Sequence, residues 1–168
     1  MTQFTCHGPY KISVEVGAGG RSITDVPKKI KKFWDSTNGL KGRRGCYVFG
    51  IKTGRNVIPY YIGKATKGFG QEIFTNDKRT KYQKALNIYL KGAPAFFFLP
   101  LARAKGPANR RHIQELEIWL IHQGAVANPN LLNKHYNTTA NWQISGILRS
   151  PTKKPTNGAK LLRQSLKL

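Results

Sequence analysis

Residues 95–101, Ala-Phe-Phe-Phe-Leu-Pro-Leu, place five large apolar side chains in seven positions. A run that short and that unbroken reads as a strand buried on both faces, so the sheet around it must be covered on both sides. Two more runs supply partners. Cys46 to Ile51 reads as a second buried strand, Thr53-Gly54-Arg55-Asn56 as a turn, and Val57 to Ile62 as the returning strand of a hairpin. Pro59 has no N–H to give a ladder, which places the returning strand at an edge or at an irregularity. Nearer the start, Tyr10, Ile12, Val14 and Val16 alternate with polar residues over 10–16, the pattern of a half-buried strand, and the Gly-rich stretch 17–20 ends it.

Helical spacing fills the gaps. A short helix is predicted over 26–36, with Thr24-Asp25 as cap and Pro27 in the first turn. It shows Ile30, Phe33 and Trp34 on one face and Lys28, Lys29, Lys31 and Lys32 on the rest. Residues 69–91 hold one or two helices, with Tyr82, Ala85, Leu86, Tyr89 and Leu90 in phase and Gly92 as the stop. A strong helix is predicted from about Asn109 to His122, ended by Gly124. Beyond Tyr136 the pattern loosens, with Trp142, Ile144, Ile147 and Leu148 as an anchor, a Pro- and Lys-rich linker at 151–158, and a short basic helix over 159–168.

Charge decides the partner. The chain of 168 residues has 29 Lys and Arg against 7 Asp and Glu, a formal net charge of +22. Self-repulsion of that size disfavours a compact state unless a polyanion offsets it, and nucleic acid is the commonest such partner. Apolar residues at 39% and aromatics at 11% exclude a disordered polycation. No apolar run approaches the ~20 residues of a membrane span, and the first ten residues lack the pattern of a secretory signal, so the expectation is a cytoplasmic protein with no membrane partner. Cys6 and Cys46 are too few for a disulfide framework, and Cys6-His7 has poor zinc spacing.

One carboxylate stands out. At 100° per residue from Ile113, the apolar Leu116, Leu120 and Ile121 fall at about 300°, 340° and 80°, and Glu117 falls near 40°, inside that stripe. Glu115 falls near 200°, where it can pair with Arg111. A carboxylate on an apolar face needs a buried cation, a set of donors or a metal ion, and the spacing leaves these open.

Gly45-Cys46-Tyr47 on one strand, followed by Tyr61-Ile62-Gly63-Lys64-Ala65 at the end of the next, resembles the motif pair of the GIY-YIG nuclease family. Glu117-Ile-Trp-Leu-Ile121 resembles that family's glutamate helix, and Leu131-Leu132-Asn133 its final Leu-Asn segment. Four segments in order cover about residues 43–135. The resemblance implies an α+β fold with a small sheet of three antiparallel strands flanked by helices. It divides the chain into a basic N-terminal strand-helix extension at 1–40, a nuclease-like domain at 41–136 and a basic tail at 137–168. It also implies a divalent-metal-dependent endonuclease acting on DNA ahead of RNA.

The resemblance further implies that Glu117 holds one Mg2+ or Mn2+ ion as Lewis acid. Tyr47 would activate water or relay its proton, Tyr61 would bond phosphate or water, Lys64 would add charge, and Asn133 would complete the set. At the position of the family's arginine stands Gln71, beside Glu72. Lys67, Lys78, Arg79, Arg43 and Arg44 are the replacements in reach, and Arg43, Arg44, Lys67, Lys78, Arg110 and Arg111 are the expected nucleic-acid contacts. His112, His122 and His135 are expected to be structural. The rival expectations are a GIY-YIG-like nucleic-acid-binding protein without the chemistry, and a basic RNA-associated structural protein.

Overall fold

The computed structural model describes residues 2–89, 91–102, 109–133, 142–147 and 155–168. Its main sheet is antiparallel with four strands, in the order β2 (His7–Lys11), β7 (Ala93–Pro100), β5 (Gly45–Thr53), β6 (Asn56–Ala65). The three strands expected from the hydrophobic runs form its centre and one edge. The fourth is the correction: the predicted strand over 10–16 is divided at Ile12-Ser13 into β2, which adds to β7, and β3 (Val14–Gly17), which forms a separate hairpin with β4 (Gly20–Ile23). β1 (Thr2–Phe4) pairs in parallel with β8 (Trp142–Ile144).

The triple phenylalanine does what its length demanded. Phe96 and Phe98 of β7 enter a core layer with Tyr47, Phe49, Tyr61 and Tyr82, while Phe97 and Leu99 enter the opposite layer with Cys46, Val48 and Ile62. The first layer is closed by α1 (Pro27–Asp35), through Phe33 and Trp34, and by α3 (Asn76–Ile88), which follows the short helix α2 (Phe69–Glu72). The second is closed by α4 (Arg110–Ala127) and α5 (Asn157–Leu166), through Ile113, Leu116, Leu120, Leu162 and Leu166. Residues from both ends of the chain, such as Phe4 and Leu166, are fully buried in that second layer. The predicted anchor is found at Ile144, which is buried, and at Ile147, which packs on the same layer; Leu148 lies outside the described residues, as do His135 and the loop at 103–108.

Pro59 acts as expected. β6 is an edge strand, and its ladder slips there: Phe49 faces Tyr61 and Gly50 faces Pro59, so Tyr60 is the extra residue of a bulge. Gly124, predicted to end α4, does not. The helix runs through it to Ala127, and a Cβ on Gly124 would come 2.6 Å from Ile62 Cδ1. The glycine lets helix and sheet approach.

Candidate functional site

The hairpin register brings the two motifs together. Tyr47 lies opposite Gly63, and the phenol covers that glycine so closely that a Cβ there would stand 2.5 Å from Tyr47 Oη. Gly45 is fixed in the same way, since its Cβ would meet the Leu99 carbonyl of β7 at 2.1 Å. Both motif glycines are therefore required by close approach of a neighbour.

Tyr47 is fully buried; its hydroxyl and that of Tyr82 neighbour each other, and among the described residues neither has a partner of good hydrogen-bond geometry. Burial, helped by the neighbouring phenols of Tyr82 and Tyr61, holds the Tyr47 pKa well above its ordinary value, and burial does the same to Tyr82. Both stay protonated at neutral pH, so Tyr47 offers a proton to donate and not a phenolate base. The Tyr61 ring lies 6.2 Å from that of Tyr47 and 6.0 Å from that of Tyr82.

Among the cations proposed to replace an arginine beside the tyrosines, Lys78 is the one the fold delivers. Its Nζ lies 5.2 Å from the Tyr61 ring centroid, with Asp77 at 3.3 Å and Glu72 at 3.6 Å. Burial pulls against its charge, but the Tyr61 hydroxyl and the two carboxylates outweigh it and leave the ammonium above the usual lysine range. Arg79 is spent on the backbone carbonyls of Phe74 and Thr24, and Arg43 on those of Leu101 and Ala102. Arg44 is half-buried, and Lys67 and Gln71 are exposed. Tyr82 was not singled out as a site residue from sequence, yet it stands four residues after the expected contact Lys78 on α3 and so shares its face.

Glu117 belongs to the other layer. Its Oε2 lies 2.6 Å from Lys64 Nζ, with the two side chains 16% and 37% exposed. Lys64 is opposite Cys46 in the register, and Cys46 packs under α4. Lys64 therefore leaves β6 on the side away from Tyr61 and Gly63, because side chains alternate along a strand. The expected site is thus arranged around the edge strand: the tyrosines and Lys78 on one face, Lys64 and Glu117 on the other.

Asn133 has a backbone task. Its Oδ1 accepts from Ile62 N–H at 3.1 Å, and its Nδ2 donates to the Ile62 carbonyl. Asn128 Nδ2 donates to the Pro59 carbonyl at 2.8 Å, and Leu132 N–H to that of Tyr60 at 2.8 Å. Residues 128–133 thereby seal the outer edge of β6 as far as Ile62, and Lys64 lies beyond the seal.

On α4, Arg111 pairs with Glu115 as the spacing predicts; although it lies opposite the apolar stripe, Glu115 is only 12% exposed, with Oε2 buried and without a partner among the described residues. Arg110 is exposed. His112 bonds Thr2 and the capping Asn109, in keeping with a structural role. Among the described residues no three His, Cys, Asp or Glu side chains gather as a metal-ligand group. Magnesium commonly takes one or two protein carboxylates with the rest from water and substrate phosphate, so Glu117, bonded to Lys64 through one oxygen only, fits as a single protein ligand.

Comparison of the chain with protein-family models, with curated proteins and with solved structures returns no match. No helix among the described residues is long and apolar enough to cross a membrane.

Proposed function

We propose that this chain is a divalent-metal-dependent endonuclease of the GIY-YIG kind, hydrolysing phosphodiester bonds of DNA in the cytoplasm. The observation that carries the reading is the Lys64–Glu117 pair, set immediately after the glycine that receives the Tyr47 phenol, beyond the stretch of the edge strand that residues 128–133 cover. A backbone phosphate reaching that end would meet groups from both faces of the sheet. Glu117 would hold Mg2+ or Mn2+, which supplies Lewis-acid stabilisation of phosphate charge when bound. Lys64 adds fixed positive charge beside the phosphate, and Tyr61, the less buried of the two phenols, faces the other side with the buried Tyr47 hydroxyl behind it as a proton donor.

Purified protein, supplied with Mg2+ and mixed DNA substrates, is expected to nick DNA. Glu117→Gln and Tyr47→Phe are expected to lower the rate by about 100-fold or more, the scale of losing one transition-state contact. Tyr47→Phe removes only a buried hydroxyl that lacks a partner of good geometry, so the fold should tolerate it. Variants that cut as fast as the parent would overturn the assignment.

A second reading, a nucleic-acid-binding protein without cleavage, is favoured by the ammonium already seated on Glu117 and by Gln71 at the arginine position. It expects no nicking by the parent, but binding whose logarithm falls with the logarithm of salt at about −0.9 per phosphate neutralised.

A further inference from the structure

Tyr61 is 6% exposed, and the little of it that reaches the surface lies beneath two lysines. Lys78 Nζ and Lys81 Nζ each stand 5.2 Å from its ring centroid. Two ammonium groups drawn onto one ring repel each other unless an anion lies between them. Here the anion is Asp77: one carboxylate oxygen, Oδ2, reaches Lys81 at 2.8 Å and Lys78 at 3.3 Å. Asp77 sits in the first turn of α3 with 63% of its side chain exposed, whereas Lys78 beneath it is 17% exposed and backed by Glu72. The cations are held by the fold and the anion is not. Behind the ring lie the buried hydroxyls of Tyr47 and Tyr82.

An oxygen bridging two ammonium groups over a phenol is the position that a phosphate oxygen would take. We propose that Lys78 and Lys81, seated on Tyr61, form a subsite for one phosphate group of a nucleic-acid backbone, and that Asp77 is the internal counter-ion that this phosphate displaces. The exchange makes and breaks no covalent bond: the carboxylate turns out into water and the phosphate takes both lysines. Exposed carboxylate–lysine pairs are weak, so little opposes the exchange. The proposal rests on the nucleic-acid reading and is independent of cleavage.

Asp35 supplies the control. It is also 63% exposed and paired i,i+4 with a lysine, Lys31, but it bridges one lysine and has no aromatic seat. Binding of a fluorescent duplex should be titrated against salt in the presence of chelator, with no metal. Asp77→Asn is expected to tighten binding about threefold more than Asp35→Asn, since both remove one charge and only one vacates a phosphate position. Lys81→Met, at the exposed rim, is expected to weaken binding and to reduce the salt slope by about one, and Lys78→Arg to preserve both. Equal effects of the two aspartate variants, or an unchanged slope for Lys81→Met, would overturn the subsite. Absence of nicking by the parent leaves these binding results standing and overturns only the cleavage reading.

Discussion

Asn133 completes an edge-strand ladder with a side chain. Its amide satisfies the N–H and the carbonyl of the same residue, Ile62, a pairing usually made by a neighbouring strand. Asn133→Ala orphans both groups and is expected to cost about 1–3 kcal/mol of unfolding free energy, read as a lower urea midpoint. Nothing local announces such a clamp, because it depends on which residue of a distant strand faces outward. The parity of Lys64 was legible: it stands three positions after Tyr61, an odd step on a strand, so the two cannot share a face. The bulge lies at Tyr60, before both, and does not alter that count.

At the scale of elements, α5 shows where charge patterning misleads. Its Lys160 and Arg163, with Lys167 just after it, read as a basic tail, yet Ala159, Leu162 and Leu166 are fully buried in the layer that holds Phe97 and Ile113. Leu162→Ala is expected to destabilise the protein by about 2–5 kcal/mol in thermal or urea unfolding, and Lys160→Ala by almost nothing. The hairpin β5–β6, the central β7 and the glutamate helix were readable because each rests on local periodicity. The fourth strand was not, since β2 is five residues long with Gly8 and Pro9 inside it, and only pairing with β7 makes it a strand. Gly124 was misread for a related reason: a glycine that admits a neighbour looks, in sequence, like one that ends a helix.

For the whole molecule, the buried phenols and thiols set a limit at high pH. Burial raises Tyr47 and Tyr82 well above the ordinary value of 10.0, raises Cys46 well above 9.0, and pushes Cys6 up to about 12. The unfolded chain loses these protons at the ordinary values while the folded one keeps them, so the unfolded state binds fewer protons and stability falls as pH rises. The contribution is intact below pH 9. Above it, the urea midpoint is expected to drop, first with the cysteines and then more steeply past pH 10, each group adding up to roughly 1.4 kcal/mol per pH unit. Tyr47→Phe should flatten the decline; a midpoint unchanged from pH 8 to pH 10.5 would contradict it.

The seal on β6 has a mechanical consequence. From Lys64 the ion pair crosses to Glu117, α4 carries on to Ala127, and the segment 128–133 returns to the same strand at Ile62, two residues from where the path began. Strand, helix and return segment make a closed frame that ties together the two backbones carrying Lys64 and Glu117, so only their side chains are left to rearrange. A polyanion drawn to Lys64 therefore meets a lysine whose strand is tied through α4 to the element that carries its carboxylate partner.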